Sequence, residues 1–277
     1  MVHSFAAFQG RYAAARAALR TAGDIARVVV EAATDDAADG AGWLELQVDP
    51  TSYSARLGGL EAVVEAVLAG AAAAPIPVGV IVAASWGATP DHALRLAALA
   101  ASYPGVVGFG ISNDERLGTV VSFAPAARLA SEAGLLVTPH GGFYEGPAHV
   151  RDCVEVLGAR RIGHGLRAVE DPATLALLAS RSVALEVCPT SYPPFGGPAL
   201  AELPLGVLRE AGVPVALASD DPLLFGTGLA GQYAIARDAV GLADVELAAL
   251  ARESVAASAA PPEVAARMLA GIDAWLA

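Results

Sequence analysis

The chain has no lysine: its 17 basic residues are all arginine. That excludes a Schiff-base amine and a lysine-bearing phosphate loop. Cysteine is nearly as scarce. Cys153 and Cys188 are the two that occur, far apart and outside any CxxC pair. No disulfide framework is therefore expected, and a reduced, cytoplasmic setting is. Positive charge is also short, with a net charge of −12 and a sequence pI of about 4.8. A nucleic-acid backbone or an anionic membrane needs basic surface, so neither is an expected partner, whereas a small or neutral ligand is compatible. No run reaches the ~18–20 uninterrupted apolar residues that span a bilayer. The opening MVHSFAAFQGRYAAARAAL lacks the basic region, apolar run and cleavage site of a secretion leader. Aromatics are only 6% of a chain that is 55% hydrophobic, so a sizeable core is expected, built mainly from alanine, valine and leucine.

What is present is alternation. Short apolar runs at 42–50, 77–85, 105–112, 135–142, 160–166, 183–189 and 214–222 read as strands. Between them lie Ala-, Leu-, Arg- and Glu-rich helical patterns at 59–73, 90–102, 124–133, 147–157 and 172–180, and three more follow the last strand at 229–240, 245–255 and 262–276. Buried strands alternating with helices imply a parallel sheet covered by helices. The pattern gives seven strand–helix units. The whole chain, 1–277, reads as a single α/β domain of the TIM type, because Pro and Gly punctuate the joins without clustering into a linker.

Polar residues gather at the C-terminal ends of the strands: Asp49, His140, His164, Glu186, Asp220 and Asp221. In a parallel barrel that rim is where chemistry is built. His140 precedes two glycines and His164 lies between two, which leaves room for a ligand, although a lone histidine of this kind also serves structure. Asp220 and Asp221 end an apolar strand just before Pro222. Strand geometry points them to opposite sides unless the turn rotates one. One could then meet a metal and the other a substrate; a plain Asp-Asp-Pro turn is the alternative. Cys188 reads as a buried, inert thiol. Arg160 and Arg161, at the start of their strand, read as solvated or helix-capping.

The motifs His140-Gly-Gly, Arg161-Ile-Gly-His164-Gly, Glu186-Val-Cys-Pro-Thr-Ser191 and Ser219-Asp220-Asp221-Pro222 stand in the order and approximate spacing of the adenosine deaminase family, and the chain resembles it from about Phe5 onward. The stretches 42–50 and 106–115 also look like strands of that family. The resemblance implies a (β/α) barrel of the adenosine deaminase type, holding zinc, in which zinc-activated water attacks C6 of a purine nucleoside and ammonia leaves. It implies metal ligation by His140 and Asp220, and orientation and deprotonation of the water by His164. It also implies hydrogen bonding of the purine ring by Asp221 and a place for Gly110 beside the substrate.

The sequence departs from that pattern at three points. The family takes two zinc ligands from a His-x-His pair on its first strand, and no such pair occurs here: His3 is followed by Ser4 and Phe5. The first strand is expected to be missing, leaving a barrel of seven strands. The family's acid, three residues after the metal-ligating histidine, is Phe143, with Glu145 two residues on. The asparagine that usually follows Ser191 is Tyr192. Two protein ligands fall short of a zinc site, so tight zinc binding by this chain alone is not expected. Strand edges near 43–48 and 215–218 are expected to lack a partner. The outcomes to look for are poor solubility, a homo-oligomer, or a gap filled by N-terminal residues. Two functional readings follow. One is hydrolytic deamination of a purine nucleoside. The other is a non-hydrolytic, nucleoside-like binding protein in which Phe143 packs on the ligand ring. A scaffold without ligand is disfavoured by the retained polar rim.

Overall fold

The structure, a computed structural model, describes residues 5–277; His3 lies outside them. Two helices, α1 (Phe5–Ala18) and α2 (Ala22–Ala38), precede the first strand, β1 (Leu44–Val48). There follow α3 (Thr51–Leu57), α4 (Leu60–Ala73), β2 (Val78–Ser85), α5 (Pro90–Ser102), β3 (Val106–Ser112), α6 (Val120–Glu132), β4 (Leu136–Gly141) and α7 (Pro147–Glu155). Next come β5 (Arg161–His164), α8 (Pro172–Ser180), β6 (Ala184–Val187), α9 (Leu205–Glu210) and β7 (Val215–Leu217). The helices α10 (Pro222–Phe225), α11 (Leu229–Asp238), α12 (Asp244–Ala257) and α13 (Pro262–Leu276) follow the last strand. The strands form one seven-stranded sheet in sequence order, β1 to β7. Every neighbouring pair is parallel.

Local chemistry sets the helix starts. Thr21 accepts from Asp24 N–H while Asp24 accepts from Thr21 N–H, a capping box that opens α2. Thr89 and Asp171 cap α5 and α8, each followed by a proline whose missing N–H has no partner to lose there. All seven expected strands are found. The last is shorter than expected: β7 ends at Leu217, and Pro222 opens α10, so Asp220 and Asp221 belong to a turn. The helix expected at 124–133 starts earlier, at Val120, with Pro125 inside it. The carbonyl that Pro125 cannot bond belongs to Val121, a solvent-exposed residue.

Alternate strand residues pack outward against the helices. Val80, Val82, Phe109, Ile111, Val137, Ile162, Leu185, Val187 and Val215 join Leu96, Phe123, Val150, Leu178, Leu208 and Leu250 in one buried cluster. The barrel interior is polar at its centre. Arg161, only 6% exposed, sets Nη2 2.5 Å from Glu45 Oε2 on β1 and Nε 2.7 Å from Glu186 Oε1 on β6. Its Nη1 donates to the Ala257 carbonyl at the end of α12. Glu45 Oε1 accepts from Trp43 Nε1 and Ala259 N–H, and Thr138 donates to Glu186. The expectation that Arg161 is solvated or capping a helix is thus overturned, because strand alternation turns its side chain inward, where the carboxylates of Glu45 and Glu186 meet it. Arg160 is exposed.

Edge strands β1 and β7 do not pair with each other among the described residues. The gap between them is spanned by other means. Across the strand C-termini, α1 brings Tyr12 into a hydrogen bond with Asp221, while the Arg16 carbonyl accepts from Arg56 on the β1 side. On the outside, Asp39 at the end of α2 accepts from Ala230 N–H in the first turn of α11, a favourable place for a carboxylate. At the base, Arg161 and Glu45 tie β1 to β5. A gap covered by N-terminal residues is the arrangement seen.

Two outcomes test this account. Arg161→Ala leaves the carboxylates of Glu45 and Glu186 without their cation and is expected to lower unfolding free energy by about 3–5 kcal/mol. Urea denaturation measures it, and a loss below about 1 kcal/mol contradicts a structural role for the tether. Asp36, in the acidic last turn of α2, is raised to about 6 by burial and by Asp39 and Asp35. A carboxyl that holds its proton more tightly when folded favours the native state below the unfolded pKa, and that advantage is gone once pH exceeds 6. Asp36→Asn is expected to raise the melting temperature at pH 8 and leave it unchanged at low pH; an equal shift at both contradicts the assignment.

Candidate active site

The site is built where β3 to β7 end. His140, the fifth residue of β4, has its carbonyl held by Trp86 Nε1 at 2.8 Å. Its ring packs edge-on against His164 from β5, with centroids 4.5 Å apart. His164 takes a left-handed backbone, φ 69°, followed by Gly165 at φ 68°. A non-glycine residue pays for that conformation with strain, which surrounding contacts must hold. Gly165 is required beside it, since a Cβ there would lie 2.4 Å from Leu185. Asp220 is left-handed as well, φ 58°. That rotation brings the carboxyls of Asp220 and Asp221 into mutual hydrogen bonding, where an extended strand would have split them.

Asp220 Oδ2 stands 3.9 Å from His164 Nε2, and Ser191 also bonds Asp220. The Asp220 side chain lies deep in the mouth yet keeps 28% of its surface open. Burial pushes Asp220 up from the ordinary carboxylate range, and burial together with the Asp220 charge pushes Asp221 up. His164 is 6% exposed, and burial first, then the His140 charge, lowers it well below the usual imidazole value. It is therefore neutral and able to accept a proton. Its Nδ1 is buried without a partner.

A residue not singled out in the sequence organises the other half. Glu115, 1% exposed, sits in a short 3₁₀ turn (Glu115–Leu117) after β3. Its Oε2 lies 2.7 Å from His140 Nδ1, and its Oε1 accepts the main-chain N–H groups of Phe143, Tyr144 and Glu145 at 2.7–2.8 Å. Burial acts to raise its pKa, but the hydrogen bond and charge of His140 and the N–H groups outweigh it and bring it down to about 2. An ionised carboxylate only accepts, so His140 Nδ1 carries a hydrogen and, in the neutral ring, Nε2 carries the lone pair. The signal was present in the sequence: Glu115 closes SNDE at a strand end, the position class that drew attention to the other rim residues.

The remaining expected residues fall as follows. The Phe143 ring lies in the mouth, 4.7 Å from His164 and 5.8 Å from both His140 and Tyr192. No carboxyl takes its place; Glu145 serves the turn through its N–H. Tyr192 is buried and its hydroxyl accepts from Cys188 N–H. Gly110 faces Gln47 of β1, whose Oε1 would lie 2.1 Å from a Cβ there, so that amide occupies the room the glycine leaves. Asp49 caps Thr51 N–H and plays no part in the mouth. Glu186 is engaged with Arg161. Cys188 is buried, as expected, and its thiol is pushed well up by burial and by Asp220 and Glu186.

His140 and Asp220 supply two donors, short of the three that a zinc site takes from protein. The donor atoms of His164, Cys188 and Asp220 do lie within 4.8 Å of one another. The ligand pair that the resemblance implies does not fit zinc by itself.

A parallel α/β barrel with histidines and aspartates converging at its strand C-termini defines a hydrolase-type barrel mouth. The family model described as adenosine deaminase matches residues 1–275. A Streptomyces coelicolor protein named putative adenosine/adenine deaminase is 54% identical over 276 residues, which is 97% of this chain and 80% of that one. An adenine deaminase structure from Arthrobacter aurescens superposes with a TM-score of 0.90 at 27% identity, covering 99% of this chain and 86% of the other. A Burkholderia ambifaria amidohydrolase solved with bound zinc shares the fold, with a TM-score of 0.86 at 23% identity over 93% of this chain and 74% of the other. The chain belongs to the adenosine deaminase family. Among the described residues no helix is long and apolar enough to cross a membrane.

Glu115 anchors four groups at once, so Glu115→Ala is expected to cost about 3–5 kcal/mol of stability, with Glu115→Gln costing less because an amide oxygen still accepts main-chain N–H groups. Chemical denaturation of both variants checks this; equal losses for the two contradict anchoring of the turn by an accepting oxygen at this position.

Proposed function

We propose that the mouth takes a 6-aminopurine, as free base or nucleoside, and that the chain hydrolyses its exocyclic amine at a rate held down by Phe143. The observation that carries the reading is the convergence of His140, His164, Asp220 and Asp221 on one opening, with roles as the resemblance implies. Asp221, held up in pKa, can donate to a ring nitrogen that accepts. The neutral His164 imidazole can take a proton from water. The Phe143 ring offers a face for the purine to stack on. What it cannot do is deliver a proton to the ring as nitrogen leaves, and loss of a positioned acid costs about 10²–10⁴ in rate. His140 and Asp220 remain the metal-facing residues of this reading, with any further donor coming from beyond the pair. The unpaired edges of β1 and β7 fit self-association, and a protein working in the cytoplasm fits the reduced cysteines.

A second reading is favoured by the central position of the Phe143 ring: a purine-binding protein without turnover. An absorbance assay on adenine and adenosine, with zinc supplied, separates the two. The chain is expected to convert slowly and Phe143→Glu at least about 100-fold faster. Saturable purine binding with no conversion by either protein leaves the second reading; absence of binding overturns both.

A further inference from the structure

We propose that Arg160, Arg181 and Ser182 form a phosphate site on the face of the barrel opposite the mouth, taking inorganic phosphate or a small phosphomonoester. The three residues line one hollow of about 270 Å³, whose apolar part comes from the buried Val154, Ala159 and Val183. Arg160 ends the connection from α7 to β5, and Arg181 and Ser182 lie in the connection from α8 to β6. The two connections meet, since Ala184 N–H donates to the Arg160 carbonyl. Nine other arginines of the chain pair with a carboxylate. Among the described residues, the exposed guanidiniums of Arg160 and Arg181 have no carboxylate partner, and the Ser182 hydroxyl has no hydrogen bond to protein. Two like charges on one hollow repel each other until an anion sits between them. Ser182 is left-handed, φ 51°, at the end of α8, a position that glycine usually takes. A serine there costs backbone energy and puts a hydroxyl on the hollow.

A helix C-terminus favours arginine even without a ligand and disfavours an anion. Both effects are weakened here, because the carbonyls concerned are already bonded. Leu177, Ala179 and Leu178 accept from the N–H groups of Arg181, Ser182 and Val183, and Cys153 at the end of α7 accepts from Ala159. Phosphate suits the remaining groups better than a carboxylate does. Its two negative charges match two guanidiniums, and its oxygens are enough for both forks and a hydroxyl. A carboxylate, with one charge, leaves one cation uncompensated. The hollow is smaller than the roughly 300–1,000 Å³ of drug-sized sites, which favours a small ion over a whole nucleotide. Arg160 and Arg161 are consecutive, one outside the sheet and the other inside it. Barrels hold stability more than chemistry on this N-terminal face, so bound phosphate stabilises the fold without entering the mouth. The site is independent of the purine reading, which stands or falls separately.

Isothermal titration of inorganic phosphate and, in parallel, of glycerol phosphate into the full chain at fixed ionic strength tests it. One saturable site is expected in the parent chain. Tighter binding of the ester assigns the site to phosphomonoesters, and tighter binding of the free ion assigns it to inorganic phosphate. Arg160→Gln and Arg181→Gln are each expected to weaken binding by at least about 10-fold, through loss of a charge-assisted hydrogen bond. Ser182→Gly keeps the left-handed turn and removes only the hydroxyl. It is expected to hold the melting temperature measured without phosphate and to weaken binding by about 3-fold or more. All three positions are exposed, so the variants retain the fold. No saturable binding by the parent chain, or undiminished affinity in any of the three variants, overturns the proposal.

Discussion

Everything at the mouth depends on a charge buried beneath it. Arg161 lies inside the barrel between Glu45 on the first strand and Glu186 on the sixth. A sheet whose two edge strands do not pair has no ladder to close it. A guanidinium reaching across the interior supplies the missing connection as a fixed, forked contact. Burial alone would act to discharge Arg161, and the carboxylates of Glu186 and Glu45 hold it charged. Glu45 Oε1 also accepts from Trp43 and Ala259, which ties the connection between α12 and α13 to the first strand. This is a buried polar network in which removal of any one member leaves another exposed to the cost of low dielectric.

Above that layer, two kinds of restraint shape the site. Left-handed backbone at His164, the last residue of β5, and at Asp220, just beyond β7, sets the direction of their side chains at the mouth. Glu115 works from the opposite wall, fixing the His140 ring and the turn that carries Phe143. The result is a neutral imidazole beside a pair of carboxyls that share a hydrogen bond, all against an aromatic wall. A purine, flat and rich in nitrogen, matches that combination of stacking surface and hydrogen-bond partners. Membership of the adenosine deaminase family supplies the precedent for that reading.

Much of this was legible in the residues. The positions of the strands and of most helices followed from apolar runs and from prolines at helix starts, such as Pro90, Pro147 and Pro172. The rim histidines and aspartates followed from strand ends. What was not legible depended on side chains meeting across the barrel. Nothing local in RRIGHGL distinguishes an exposed Arg160 from a buried Arg161; only the alternation of a strand in a curled sheet does so. The left-handed turn at Asp220 could not be read from the apolar run 214–218 and the serine that follows it. Glu115 was overlooked because its partners, His140 and the N–H groups after Phe143, lie 25–30 residues away. The bridging of β1 and β7 by α1 likewise rests on contacts such as Tyr12 with Asp221 that no spacing rule contains.

The central claim is that a purine ring is held at this mouth by Asp221. Isothermal titration of adenine into the full chain and into Asp221→Ala measures it directly. The account predicts one saturable site in the parent chain, weakened by at least about 10-fold in the variant through loss of a hydrogen bond to a charged or polar ring atom. Equal affinity in the two proteins, or no binding by the parent chain, would contradict it.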